Sequence, residues 1–189
     1  MKDPLTLIQA VARGETLAFR SLYESFSPKV YNLALSYMQQ VEDAEEVTQD
    51  VFVKIHRSAS GFNGKSKVET WIYRITINTA LNALSKRKRQ ATYLAVQSNE
   101  QLDLPDFEHP GVKLENQEKA KFLFWAINQL PETQKTAFLL SFVEGLPRKE
   151  VADIMQLSLK AVESLLQRAK KGLRDHLGKF PIERRKTPK

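Results

Sequence analysis

The residues of this chain that could do chemistry are arranged to bind rather than to transform. Lys160, Glu163, Ser164, Gln167, Arg168, Lys170 and Lys171 fall on the polar side of a predicted helix whose other side is Leu159, Val162, Leu165, Leu166 and Ala169. Cations, an amide, a hydroxyl and a carboxylate on one helical face are the groups that read base edges in a DNA major groove. Upstream, Arg74, Asn78 and Asn82 occupy outward positions of another helix, which runs into Lys86, Arg87, Lys88 and Arg89. Those charges suit phosphates, and the amides can bond exposed bases. A third set has the opposite sign: Glu42, Asp43, Glu45, Glu46, Gln49 and Asp50 crowd one predicted helix. The helix dipole favours carboxylates only in the first turn, and like charges on neighbouring turns repel. A basic protein partner explains that face better than local stability does.

Groups for covalent or metal chemistry are missing from the pattern. With no cysteine, the chain has no disulfide, thiol nucleophile or thiolate metal site. His56, His109 and His176 are scattered, no carboxylate cluster completes a metal or acid/base site, and no serine or tyrosine constellation converges. Neither an enzyme nor a bound metal or cofactor is expected. No run of apolar residues is long enough to span a membrane and the first residues do not resemble a signal peptide, so the expected location is the cytoplasm.

The net charge of +7 suggests a polyanionic partner, and its distribution sharpens the suggestion. Residues 65–89 carry +6 and residues 160–189 carry +7, whereas residues 90–118 between them carry −5. Two basic blocks are thus separated by an acidic connector.

The elements that must position these groups are helical. Residues 4–38 show apolar residues at helical spacing, punctuated by Gly14 and by Ser27 and Pro28, which predicts two or three helices with Phe19, Tyr23, Phe26, Tyr31 and Tyr37 in the core. The acidic helix spans about 41–57, burying Ala44, Val47, Val51 and Ile55. A glycine-containing loop follows over 58–67. Residues 68–89 contain β-branched residues, yet Trp71, Ile72, Ile75, Thr79, Leu81 and Leu84 keep a helical stripe over too long a span for a strand. Residues 90–118 hold no sustained period and include Pro105 and Pro110, the mark of a connector. Beyond it, helices are expected over 119–130 and 133–143. Pro147 then suits the first position of a short helix burying Val151, Ala152, Ile154 and Met155 and ending near Gln156. Ser158 can cap the helix that carries Lys160 to Lys171. Two short helices joined by a tight turn, the second basic on its outer side, form a helix-turn-helix. The plainer reading of the same residues is a helical hairpin with a solvated face. Residues 179–189 read as a disordered basic tail.

In this order the segments resemble the extracytoplasmic-function sigma factors, the small two-domain promoter-specificity subunits of bacterial RNA polymerase. Residues 43–52 are similar to the family's core-polymerase-binding segment, residues 70–82 to its minus-ten recognition and strand-opening helix, and residues 130–140 with 160–174 to its minus-thirty-five domain. The resemblance implies an all-α fold: a region 2 domain over 1–92, a flexible acidic linker over 93–118, a region 4 domain with the helix-turn-helix over 119–178, and the tail. It implies that Asp43, Glu46, Gln49 and Asp50 face core RNA polymerase. It implies that the loop with Phe62, Asn63, Lys65 and Lys67, backed by Asn78 and Asn82, receives unstacked bases of promoter DNA, while Arg74, Lys86, Arg87 and Arg89 hold phosphates. In the second domain Lys160, Glu163, Ser164, Gln167, Arg168 and Lys171 would face the major groove, with Arg148 and Lys149 on the backbone. Glu163 has two options: it can accept from a cytosine amine, or pair with Arg168 or Lys160 and steer them. An anti-sigma factor is a further expected partner. The rival reading is a stand-alone helix-turn-helix regulator that binds duplex DNA without polymerase; it leaves the acidic helix and the upstream basic helix unexplained.

Overall fold

Asp3 caps the first helix: its carboxylate accepts from the Thr6 amide at 3.3 Å, and Pro4 occupies the first turn, where a missing N–H is no loss. The computed structural model describes residues 3–95 and 117–178, and every regular element among them is helical. Helices α1 (Pro4–Ala12), α2 (Thr16–Met38), α3 (Val41–Ser58) and α4 (Val68–Ala95) form a first unit, with a 3-10 turn at Ala59–Gly61. Helices α5 (Gln117–Asn128), α6 (Glu132–Phe138), α7 (Arg148–Met155) and α8 (Leu159–Leu177) form a second, with a π-helical segment at Leu139–Val143. The all-α architecture expected from the periodicity is what folds.

The first unit closes around Ile8, Leu22, Leu33, Val51 and Ile55, all fully buried. Pro28 does not interrupt α2, against the expected punctuation. It forfeits one backbone hydrogen bond, but Phe26, Val30 and Leu33 around it are buried, and that packing holds the helix through. Tyr23, expected in the core, is 43% exposed and lies against the Phe52 ring at 4.6 Å between centroids.

The second unit closes around Phe124, Ile127, Leu139, Leu140, Val151 and Val162. Gly172 lets α8 pass next to Leu130, whose Cδ2 would lie 2.8 Å from an added Cβ. Pro147 is the N-cap of α7 rather than its first residue, Gln156 ends that helix in a left-handed conformation, and the Ser158 hydroxyl accepts from the Ala161 amide at 3.2 Å to start α8. Leu159, expected on the buried stripe of α8, is 48% exposed. As the first residue of its helix it points back over the turn outside the core.

The two units pack on one another through α4 and α7. Buried polar contacts cross between them: Tyr37 Oη and Thr136 Oγ1 are 2.6 Å apart, and Gln39 Nε2 donates to the Phe124 carbonyl at 2.8 Å. Gln39 ends α2 with a left-handed φ of 56°, a conformation disfavoured for a residue with a Cβ, and its side chain is buried in this cross-unit bond. Packing against both units explains why α4 buries Tyr73, bonded to Glu144, and Ile77, beside Ile154 and Glu132, in addition to the single stripe the sequence suggested. The expected linker lies outside the described residues apart from its helical ends, and the tail lies wholly outside them. Among the described residues, no helix is long and apolar enough to cross a membrane.

Candidate nucleic-acid interface

The acidic strip forms because α3 buries Ala44, Val47, Val51 and Ile55, which leaves Glu46, Gln49 and Asp50 exposed on the other side. Asp43 behaves differently. Its carboxylate meets Arg87 Nη1 at 2.9 Å, and the same nitrogen donates to the Met38 carbonyl and to Gln40 Oε1, both at 3.2 Å. Arg87 is therefore a strut between α4 and the corner joining α2 to α3, where the resemblance assigns it to phosphate and Asp43 to polymerase.

In the loop before α4, Gly64 adopts a left-handed φ of 71°, and Asn63 Oδ1 accepts from the Lys65 amide at 3.1 Å. Phe62 is half-buried against Trp71, with ring centroids 5.2 Å apart and the ring planes tilted by 55°. Asn78, Asn82, Lys86 and Arg89 are exposed along the outer side of α4. Arg74 is not open to solvent in the same way. Its guanidinium donates to the Asp153 carbonyl at 2.6 Å and the Ile154 carbonyl at 3.2 Å, at the C-terminal end of α7. Lys67 Nζ lies 3.3 Å from Glu150 Oε1 on the same helix.

On α8, Lys160, Gln167, Arg168 and Lys171 are exposed on one side while Val162, Leu165, Leu166 and Ala169 are buried on the other. Ser164 is half-buried, and its carbonyl accepts from Arg168 Nε at 3.3 Å. Glu163 takes neither partner weighed for it from the sequence. It lies 3.3 Å from Arg148 at the start of α7, tying the two helices of the helix-turn-helix together. Lys149 is exposed beside Arg148. Lys170 sits 4.6 Å from the Phe142 ring centroid.

Two titratable groups that the sequence did not single out lie where the units meet. Lys135 is buried at 5% exposure, donating to the Tyr37 carbonyl at 3.4 Å and to Asn128 Oδ1. Burial holds its amine down at about 7; Lys88 and Arg87 on α4 push the same way, and Glu132 opposes them. Glu144 accepts from Tyr73 Oη at 3.2 Å. Burial raises its carboxyl to about 7, against the Tyr73 hydrogen bond and Lys29. In the sequence Lys135 stands between Gln134 and Thr136 in the middle of α6, so no local pattern marks it as buried. Among the described residues, no group of three or more histidine, cysteine, aspartate or glutamate side chains could hold a metal ion.

Two family models match the chain, Sigma-70 region 2 over residues 22–90 and Sigma-70 region 4 over residues 126–173. The RNA polymerase sigma-H factor of Pseudomonas aeruginosa is 32% identical over 173 residues, covering 88% of this chain and 90% of that protein. The ECF RNA polymerase sigma-E factor of Escherichia coli (strain K12) is 30% identical over 182 residues, covering 92% and 95%. Among solved structures, CnrH in complex with the cytosolic domain of CnrY shares the fold at a TM-score of 0.67 and 21% identity, covering 92% of this chain and 96% of that one. The sigma factor RpoE of Bartonella quintana, in complex with the anti-sigma factor NepR, does so at 0.65 and 21%, covering 85% and 96%.

Proposed function

This chain belongs to the ECF sigma factors of RNA polymerase, and from that premise we propose how its parts divide the work of promoter-specific transcription initiation. As a member of a family of initiation factors it supplies specificity, and the chemistry of RNA synthesis belongs to the polymerase. The first unit, residues 1–92, docks on core polymerase through Glu46, Gln49 and Asp50 and reads the minus-ten element with the outer side of α4. Asn63, Asn78 and Asn82 take unstacked bases, and Lys65, Lys86 and Arg89 hold the strand. Residues 93–118 link the units. The second unit, residues 119–178, reads the minus-thirty-five element as duplex. Lys160, Ser164, Gln167, Arg168 and Lys171 face the major groove, and Arg148 and Lys149 hold the backbone; residues 179–189 are a basic tail. Glu163 acts by orienting Arg148. The strand is opened by binding energy spent on extruded bases. The protein works in the cytoplasm, where an anti-sigma factor is its expected regulator.

The observation that carries this reading is the coexistence in one unit of an exposed acidic strip on α3 and an exposed amide and basic row on α4, with a capped helix-turn-helix in the other. A DNA-binding module alone has no use for the acidic strip. The test is a core-polymerase pull-down with run-off transcription on a genomic fragment library, comparing wild type with Glu46→Lys, Asp50→Lys. Wild type should bind core and initiate at discrete sites, and the double variant should do neither. If wild type ignores polymerase yet retards duplex DNA alone, the stand-alone regulator takes its place.

A further inference from the structure

Beside the acidic strip, α2 and α3 enclose a groove of about 440 Å³ lined by Tyr23, Ser27, Pro28 and Tyr31 on one wall and by Glu45 and Gln49 on the other. Helical spacing builds both walls: residues 23, 27 and 31 follow one another at four-residue steps, and residues 45 and 49 do the same on the facing helix. Tyr23 is exposed against the buried Phe52 ring and Tyr31 is half-buried against the core, so the first wall is aromatic yet reachable from solvent. The second wall is negative. Glu45 and Gln49 are exposed, and Glu45 forms no ion pair among the described residues. Burial raises the Tyr31 hydroxyl above its ordinary pKa, and Glu45 and then Glu42 push the same way, as a negative potential along the groove requires. Pro28 adds a further acceptor. It has no N–H, so the Glu24 carbonyl one turn earlier lacks the donor that the helix would otherwise give it.

We propose that this groove receives an arginine side chain from the basic surface of core polymerase that the acidic strip meets. A guanidinium is the cation that suits both walls. It is planar and weakly hydrated, so it packs on tyrosine rings where a lysine ammonium would keep its water, and its fork can donate to the Glu45 carboxylate and to Gln49 Oε1 together. Gln49 belongs to both the groove and the strip, and Glu45 precedes Glu46, so one partner surface covers the two. The proposal rests on the reading of α3 as the polymerase face and adds Tyr23, Tyr31 and Glu45 to it. The two parts act differently. Exposed carboxylates such as Glu46 and Asp50 attract any basic surface and are screened by salt, whereas an arginine held between aromatic rings must find its slot, and its contacts persist at higher ionic strength. The strip therefore draws the partner in, and the groove fixes the position it takes along α3.

The test measures the affinity of the fluorescently labelled full chain for core RNA polymerase by anisotropy. Ser27→Trp fills the groove from its middle, and Glu45→Gln removes the charge while keeping the shape. Circular dichroism establishes that each is folded; should Ser27→Trp not fold, Glu45→Gln, a change to an exposed side chain, carries the same comparison. Each variant should bind core about tenfold more weakly than wild type. N-acetylarginine amide should compete with core more strongly than N-acetyllysine amide at the same concentration, and Glu45→Gln should narrow that difference. Binding of core by the folded variants as tightly as by wild type overturns the proposal. Weaker binding by Ser27→Trp with full binding by Glu45→Gln means that an apolar side chain enters the groove, and overturns the guanidinium. Equal competition by the two amides overturns it as well. The Glu46→Lys, Asp50→Lys variant, run in parallel, separates this result from the reading beneath it. If that variant loses core while the groove variants keep it, the strip stands and the groove alone is refuted. A wild type that does not bind core refutes both.

Discussion

Lys135 and Glu144 should give this protein a stability minimum near neutral pH, with one limb belonging to each residue. Lys135 has a folded pKa of about 7 against an ordinary 10.5, so between those values the unfolded chain binds more protons than the folded one. Stability then rises with pH, because a buried amine no longer has to be charged. A full proton of difference is worth about 1.4 kcal/mol for each step of one in pH, and the difference is only half a proton at pH 7, so the gain from pH 7 to pH 9 is about 2 kcal/mol. Glu144 works in the opposite sense: its folded pKa of about 7 lies above the ordinary 4.5, so the folded chain holds the extra proton between them. Stability from this group falls as pH rises from about 5 to 7. Because Glu144 is only partly buried, solvent screening trims its limb to about 1–2 kcal/mol. Urea unfolding followed by the fluorescence of Trp71 and Trp125, one in each unit, reads both limbs in one experiment. Lys135→Met should flatten the alkaline limb and raise stability at pH 7 by about 1–3 kcal/mol, the relief of a desolvated charge less its lost hydrogen bonds. Glu144→Gln should flatten the acid limb alone. A wild-type profile with no minimum between pH 5 and 9, or an alkaline rise that survives in Lys135→Met, would refute the placement of the lysine in a dry site.

Arg87→Ala should lower unfolding stability by about 1 kcal/mol, since it removes the strut to Asp43 and the Met38 carbonyl. Lys86→Ala should leave stability unchanged and reduce the salt dependence of DNA binding by about one phosphate equivalent, which salt titrations of the two variants distinguish. Tyr37→Phe should cost about 1–2 kcal/mol in urea unfolding, because Thr136 Oγ1 loses its partner at 2.6 Å in a buried site. Ser158→Ala removes the cap of α8 and should cost about 1 kcal/mol, with a matching loss of affinity for minus-thirty-five duplex.

The fold class, the helix-turn-helix and the acidic strip were legible because each depends on local periodicity. Ser158 caps the helix it precedes, Val151 and Val162 bury where their spacing places them, and Glu46, Gln49 and Asp50 face outward because Val47 and Val51 face in. Most differences arise where a residue answers to the rest of the fold. Pro28 stays inside a helix because the side chains around it are buried; Leu159 differs for a local reason, being exposed as the first residue of its helix. Glu163 was weighed against partners on its own helix and meets Arg148 on another.

By itself, then, the sequence determined the helices, their buried sides and the charges on their outer sides, since these follow from spacings of three and four residues. Tertiary structure alone decided which charges are engaged: Arg87 on Asp43, Arg74 on the end of α7, and Lys135, buried, on the Tyr37 carbonyl. The Tyr37–Thr136 contact joins residues 99 positions apart, and Arg74 is 79 from Asp153. No local pattern encodes such pairs, because they depend on how two independently packed helical units meet and on which polar groups that meeting takes out of water.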